Sequence, residues 1–338
     1  MAQDSTKAAK QITLLFACDD KFAMPMTVAA HSALRHMRRD VDIDIYVADG
    51  GITQANRAKA TTILQRAHPR TRLHFETCDL SAYTDCDRKR LTLSALSRIF
   101  VAQIVPPETE RVLYLDSDLV VTDDISALWA IDLGDAPVGA VRDSVPKSYA
   151  TLFDLQIPGV NVAPGTPYFN SGVMLFNLPV WKSQGFEAKT TAWLDSHGGT
   201  FLLPDQDALN VALIDAWCPL DPSWNNQMHW PAMPPATKGI THYTLAKPWQ
   251  NHFDNKMAML FFGAYLRSGW DPPIKALSFV GKRVSAQLYW RLARGIAAIQ
   301  TDTSSGFGHQ ISKLLRAMVR RQIRGWQRIF RAFGLRRR

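Results

Sequence analysis

Between Ile12 and Val121 the chain alternates short apolar runs with stretches of helical length, and this alternation limits its possible folds more than any other feature. Ile12–Ala17, Ile43–Asp49 and Arg72–Asp79 read as strands, and Arg111–Asp124 as a fourth. Pro25–Met37, Thr53–Ala67 and Leu93–Gln103 read as the helices between them, the first with a proline near its start. Strands separated by helices of about 10–15 residues build βαβ units, and those build a parallel sheet. The regularity weakens after Asp124. Pro137–Asp143, Phe169–Asn177 and a short Gly239–Thr244 read as strands, and Phe186–Ser196 and Asp205–Ala216 as helices. No GxGxxG or GxxxxGKS/T loop is present, which argues against a Rossmann dehydrogenase or a P-loop NTPase.

The fourth run, "RVLYLDSDLVVTDD", sets Asp116 and Asp118 among apolar residues. Burying unpaired carboxylates costs several kcal/mol each. In an extended chain residues i and i+2 share a face, so the two aspartates point together and Ser117 points away. Like charges that close repel unless a cation lies between them or one protonates. Two readings follow. A hard divalent cation, Mg²⁺ or Mn²⁺, binds at the carboxyl end of the strand, where open α/β sheets place ligands. Alternatively the strand ends early and both aspartates are solvated or cap a turn. His242 in "THYTLAKPW" is a candidate third ligand whose nitrogen favours Mn²⁺; an ordinary packed or exposed histidine is the plainer alternative. "PDQDALN" gathers Asp205, Gln206 and Asp207 at a helix start, where aspartate is also favoured as a cap.

Taken in order, these pieces resemble glycosyltransferase family 8, most closely the bacterial lipopolysaccharide α-galactosyltransferases. "FACDDKFAMPMTVAAHSAL" is similar to the family's opening strand and helix, and "VLYLDSDLVV" with "ISALWAIDLGDAPVGAV" to its metal-binding region. "YFNSGVMLFNL", "DQDALN" and "HYTLAKPW" follow in the family's order, so the resemblance covers roughly residues 11 to 250. It implies a glycosyltransferase-A type, Rossmann-like nucleotide-sugar-binding α/β domain with a mixed, largely parallel sheet. It also implies that Asp116, Asp118 and His242 hold Mn²⁺ (Mg²⁺ being the alternative) on the diphosphate of a UDP-sugar. Ala17 and Asp19 match residues that hold uracil and ribose, and Ser117 belongs to the same cofactor-binding stretch. Arg98 and Asn170 match residues at the donor sugar, Asp205 one that binds its hydroxyls, and Gln206 the residue beside the anomeric carbon. Asp143 matches an aspartate on the acceptor side, and Lys247 the lysine that pairs with the leaving phosphate.

The residue types suit that chemistry. Breaking a sugar–diphosphate bond develops negative charge on the leaving group, which a metal and Lys247 stabilise. Oxocarbenium character develops on the sugar, and the Gln206 amide supplies an oxygen dipole. A retaining glycosidase uses a carboxylate nucleophile; a glutamine is a poor one. Same-face attack, with the leaving phosphate taking the acceptor's proton, is therefore preferred over Asp207 as a covalent nucleophile. Three departures stand out. "HYTLAKPW" is one residue shorter than the family's HYxGxxKPW and lacks its glycine, Lys21 replaces an asparagine near the ribose, and "KRLTLSALSR" lacks a threonine-rich segment.

Charge is unevenly placed. The formal net charge is +9, yet ten of the 39 basic residues and none of the 30 acidic ones lie between Thr303 and Arg338, so the body is near neutral. On a helix drawn there, Leu315, Met318, Trp326 and Phe330 fall on one half and Arg316, Arg320, Arg324 and Arg328 on the other. That pattern describes a helix lying in an anionic membrane interface. The expected organisation is a catalytic domain at 11–255, a helical connection at 256–302 and a basic amphipathic membrane-associating tail at 303–338. Four cysteines form no CxxC pair, and no window of about 18 apolar residues exists to span a bilayer. With no signal-peptide pattern at the N-terminus, the expected location is cytoplasmic, peripheral at the inner face of the plasma membrane. The expected partners are a UDP-hexose, a saccharide acceptor (lipid-linked) and that anionic leaflet, with no nucleic acid. Two rival readings remain: a self- or protein-glucosylating transferase, and a catalytically silent UDP-sugar-binding membrane-associated protein.

Overall fold

An eight-residue run, QITLLFAC, apolar except for Gln11 and Thr13, forms strand β1 (Gln11–Cys18), buried along all but its first residue. A central strand covered on both faces has this character. The computed structural model describes residues 11–83, 93–143, 159–197, 203–227, 238–244, 247–250, 256–272 and 279. After β1 a short turn at Asp20–Phe22 leads into helix α1 (Ala23–Leu34), which is buried almost throughout. Then come β2 (Asp42–Asp49), α2 (Gln54–Ala67), capped by the Thr53 hydroxyl on the Asn56 N–H, and β3 (Thr71–Glu76).

The helix expected over Leu93–Gln103 is broken into α3 (Leu93–Leu96) and α4 (Val101–Ile104). The cause is Arg98. Its side-chain Nε–H donates to the Ala95 carbonyl at 2.9 Å, which a continuous helix would give to the Ile99 N–H. The Ile99 N–H bonds Leu96 instead, tightening the turn and aiming the guanidinium inward.

The expected fourth strand is likewise interrupted: β4 (Arg111–Leu115) ends before the first aspartate and β5 (Leu119–Val121) begins after the second. The Asp116 N–H still donates to the Gly172 carbonyl, but the Ser117 hydroxyl then bonds the Ala17 carbonyl and the chain leaves the sheet. A continued strand would place both carboxylates inside a sheet buried on both faces; the break puts them at its carboxyl edge. The chain continues through α5 (Ser126–Trp129), β6 (Val138–Arg142) and β7 (Phe169–Asn177). Next come α6 (Leu178–Ser183), α7 (Phe186–His197), α8 (Pro204–Ala212), β8 (Trp217–Pro219), β9 (Asn226–Gln227) and β10 (Ile240–His242).

The main sheet has the order β3-β2-β1-β4-β7-β6-β8. All neighbours are parallel except β7, which runs antiparallel to both β4 and β6. The mixed, largely parallel α/β sheet of the expected glycosyltransferase-A type is therefore present. A second sheet, β5-β10-β9, stands beside it, and α1 joins the two through a Ser32 hydroxyl that accepts the Val121 N–H.

Two compact units divide the chain, Met1–Leu245 and Ala246–Arg338. In the second, α9 (Lys256–Ser268) buries Phe261, Phe262 and Tyr265. The Trp249 ring lies tilted 4.8 Å from that of Phe261, and the Phe279 ring lies 5.2 Å from that of Tyr265. Trp181, Trp249 and Trp270 are buried, in keeping with packing roles. No described helix is long and apolar enough to cross a membrane. The expected basic tail, 303–338, lies outside the described residues, as do most of the expected helical connection at 256–302, Leu245 and Ala246 of the shortened segment, and residues 89–92 of Lys89–Arg98.

Candidate active site

The break after β4 and the end of β10 bring three ligand-type side chains together. One carboxylate oxygen each from Asp116 and Asp118 and a ring nitrogen of His242 all lie within 4.8 Å of one another. His242 Nε2 is 3.1 Å from Asp118 Oδ1 and 3.5 Å from Asp116 Oδ2. Register explains the meeting: β10 pairs antiparallel to β5 with His242 opposite Leu119, one residue past Asp118. The Tyr243 N–H then closes the turn by donating to the Asp118 carbonyl. Gly172 of β7 leaves the remaining room, because a Cβ there would come within 2.1 Å of His242 Cε1 and 2.8 Å of Asp116 Oδ2. Two carboxylate oxygens with one imidazole, in a cradle emptied by a glycine, fit a divalent cation that accepts hard oxygen and one nitrogen ligand.

Arg98 backs this cluster. It is buried, and its Nη2 lies 3.0 Å from Asp116 Oδ1 while its Nε lies 3.1 Å from Asp205 Oδ2. Nη1 donates to the Ser171 hydroxyl and carbonyl at 2.7 and 3.0 Å. The guanidinium also lies over the Tyr114 ring, whose hydroxyl donates to Asp116 Oδ1 at 2.8 Å. Burial works against the cation, but the charges of Asp116 and Asp205 outweigh it and the Arg98 pKa is raised. Burial pushes the Asp205 carboxyl up, partly offset by Arg98. A lone buried cation here would be costly; two carboxylates and satisfied N–H groups make it tolerable.

Beyond Arg98 lies a net of buried amides. Gln206 Nε2 donates to Asp143 Oδ2 and the Tyr168 hydroxyl, both at 3.0 Å, and its Oε1 accepts the Ser171 N–H at 2.9 Å. Asn170 donates to the same Asp143 oxygen at 3.1 Å. Asp207 is held structurally: Oδ1 accepts from the Tyr168 hydroxyl at 2.6 Å and Oδ2 from the Leu203 N–H at 2.9 Å, as a capping residue does. Asn210, one turn on, fastens α8 to β7 through the Phe169 N–H and carbonyl.

The structure thus gathers Arg98, Asp116, Asp118, Asp143, Asn170, Asp205, Gln206, Asp207 and His242 into one contiguous site, with Ser117 tied to Ala17 beside it. Asp19 follows β1 at the same sheet edge, where its Oδ1 caps the turn by accepting the Phe22 N–H at 3.0 Å. Its neighbour Asp20 binds Thr53 and Asn56 and so anchors the start of α2. Lys247 belongs to the second unit, where its carbonyl accepts the Gln250 N–H. Tyr114 and Asn210, already described, were not singled out from sequence, and neither were Tyr168, Ser171, Gly172 and Asn225. Tyr168, Ser171 and Gly172 sit inside "YFNSGVMLFNL", where only Asn170 was assigned. Asn225, in "SWNNQ", carries no sequence signal.

The seven-stranded mixed sheet, with a carboxylate–histidine cluster at its carboxyl edge, has the glycosyltransferase-A type of fold. The crystal structure of galactosyltransferase LgtC in complex with donor and acceptor sugar analogs is similar to it, with a TM-score of 0.61 and 27% identity, covering 75% of this chain and 95% of that one. Residues 13–252 match the family profile of glycosyl transferase family 8, and the chain belongs to that family. General stress protein A of Bacillus subtilis is 31% identical over 216 residues, 62% of this chain and 72% of that protein. Lipopolysaccharide 1,2-glucosyltransferase of Escherichia coli is 34% identical over 119 residues, 34% of this chain and 33% of that protein. The chain spans less than two thirds of the length of several other curated relatives it matches.

Proposed function

We propose that the chain is a Mn²⁺-dependent, retaining hexosyltransferase that moves galactose or glucose from a UDP-sugar to lipopolysaccharide or another cell-envelope saccharide. The observation that carries this reading is the meeting of Asp116, Asp118 and His242 beside the buried Arg98. A bound divalent cation would supply positive charge for the departing diphosphate. Ala17, Asp19 and Ser117 hold the nucleoside side, and Lys247 pairs with the leaving phosphate. Arg98, fixed by Asp116 and Asp205, directs its charge toward the donor sugar, and Asp205 and Asn170 bind that sugar's hydroxyls.

Gln206 lies beside the anomeric carbon and Asp143 on the acceptor side. Gln206 is neutral, and both Asp207 oxygens are engaged in holding α8 and Tyr168. These facts favour attack from the face the diphosphate leaves. The anomeric carbon–oxygen bond to the diphosphate breaks, the acceptor oxygen bonds that carbon, and the acceptor's proton passes to the departing phosphate. The net of Gln206, Asn170 and Asp143 keeps these groups from reorienting and so reduces the reorganisation the reaction requires. The basic tail would hold the enzyme at an anionic inner leaflet, near a lipid-linked acceptor.

The test is UDP release from a panel of UDP-sugars with and without Mn²⁺, then with lipid-linked saccharides added. Mn²⁺-dependent release from one hexose donor, accelerated by a saccharide acceptor, is expected. Silence on every donor with every acceptor, while UDP still binds, would overturn the reading in favour of a catalytically silent binding protein.

A further inference from the structure

His242 and Gln206 are joined by an unbroken chain of side chains, and two backbone N–H groups fix the direction of its hydrogen bonds. The β6–β7 ladder shifts register between Ala140 and Val141: Ala140 pairs with Met174 but Val141 with Asn170. Ser171 and Gly172, passed over on that side, turn their N–H groups to side chains. The Ser171 N–H donates to Gln206 at 2.9 Å and the Gly172 N–H to Asn170 at 3.0 Å. A backbone N–H only donates, so the amide atom facing each of them is the oxygen. That removes the usual ambiguity of amide orientation at both residues.

With Asn170 Oδ1 fixed as acceptor, the Asn225 atom 2.9 Å from it is the amide nitrogen. The Asn225 oxygen is therefore what lies 3.0 Å from His242 Nδ1, and Nδ1 must carry a proton. Nε2 is the atom that faces Asp118 and Asp116, and whenever the ring is neutral it is the one that holds the lone pair. In the other direction, Asn170 Nδ2 and Gln206 Nε2 converge on Asp143 Oδ2. All members are buried.

We propose that Asn225 is a positioning residue that locks His242 as the Nδ1–H form, and that the Asn225–Asn170–Asp143 relay ties this form to the orientation of Gln206. Its consequence for activity rests on the metal reading above; the lock itself does not. Second-sphere partners of this kind tune metal affinity by about 10–100-fold.

The test uses the full-length, metal-free protein with ¹⁵N-labelled histidine, raised in pH until the ¹⁵N shifts report a neutral ring. The His242 signals are assigned by comparison with His242→Gln. Wild-type His242 should show the Nδ1–H form, and Asn225→Leu should shift it toward the Nε2–H form. By paramagnetic titration, Asn225→Leu should bind Mn²⁺ about 10–100-fold more weakly. Asn225→Asp keeps an acceptor for Nδ1–H while giving up the donor to Asn170 Oδ1, so it should retain that form and bind Mn²⁺ more tightly than Asn225→Leu. An Nε2–H form in the wild type would overturn the proposal, as would loss of Mn²⁺ in Asn225→Asp equal to that in Asn225→Leu. Wild-type protein with the Nδ1–H form but no affinity for Mn²⁺ would sink the metal reading and leave the lock supported.

Discussion

Gly172→Ala probes the site with the smallest change available. A Cβ at this position would lie 2.1 Å from His242 Cε1, 2.7 Å from His242 Nδ1 and 2.8 Å from Asp116 Oδ2. Carbon atoms rest about 3.5 Å apart, so the imidazole would have to retreat by about 1.4 Å. Neither neighbour yields easily. His242 is held through Nδ1 by Asn225, on a strand with partners on both sides. Asp116 is engaged by the Tyr114 hydroxyl and Arg98. A misplacement of about 1 Å in a preorganised site costs on the order of 100-fold, and overpacking itself costs about 1–3 kcal/mol of stability. Gly172→Ala should therefore fold, melt earlier, and lose roughly 100-fold in Mn²⁺ affinity and in Mn²⁺-dependent UDP release. Gly139→Ala is the matched control: its Cβ would meet Leu133 Cδ2 at 2.7 Å and Leu220 Cδ2 at 3.0 Å, both ends of flexible side chains away from the site. It should lose stability alone. Mn²⁺ titration by electron paramagnetic resonance, with thermal unfolding in parallel, separates the two effects. A Gly172→Ala protein whose Mn²⁺ affinity stays within a few-fold of wild type would refute the argument.

Asp44 should make folding stability depend on acid. It accepts from Arg72 at 2.8 and 2.7 Å, His74 at 2.9 Å and Gln11 at 2.7 Å, and the Arg72 hydrogen bonds lead in holding its carboxyl down to about 2. A folded pKa below the unfolded one stabilises above the unfolded value and is lost as pH falls through the folded one. Asp44→Asn should thus cost about 1–2 kcal/mol at neutral pH, discounted for the exposed Arg72 partner. Its gap to wild type in urea unfolding should close from about pH 4 down to about pH 2; a gap that stays constant would contradict the assignment. Removal of residues 303–338 should abolish co-sedimentation with anionic vesicles while sparing turnover on a water-soluble acceptor. Vesicle binding that survives the deletion would rule out the tail as the anchor.

The main sheet was legible because burial on both faces writes a strand as an unbroken apolar run. β7 occupies Phe169–Asn177 as the sequence indicated, and β1 and β2 extend their expected spans by only a residue or two. Two of the misread elements share a cause: a polar side chain takes a backbone group that regular structure would have used; the helix expected to Ala216 and the strand expected to Asp79 simply end earlier, at Ala212 and Glu76. Arg98 takes the Ala95 carbonyl and divides a helix; Ser117 takes the Ala17 carbonyl as the run after β4 leaves the sheet. Apolar periodicity cannot register such a competition, because the residues on either side of the break remain apolar. The two aspartates in "YLDSDLVV" were themselves the sign of it.

The same reasoning separates what was foreseen at the site from what was not. Asp116 and Asp118 stood out because charge in an apolar run is costly without a purpose, and His242 through the resemblance to the family. Asn225 was invisible because a neutral amide in a polar turn is costless in the sequence. It gains meaning only when β9 pairs with β10 and the turn before it comes beside His242. Gly172 was invisible for the opposite reason: its role is the absence of a side chain, and only the positions of His242 and Asp116 across the strand reveal what that absence admits. Its N–H and carbonyl are as important as its missing Cβ. The carbonyl takes the Asp116 N–H at the point where β4 ends, and the N–H orients Asn170. One glycine thus holds the first carboxylate in place, leaves space for the histidine, and sets the polarity of the amides that hold that histidine. The geometry of this cluster and the polarity of its amides are consequently not independent, and a substitution that relieves the steric conflict at Gly172 by moving β7 would still disturb His242 through Asn170 and Asn225.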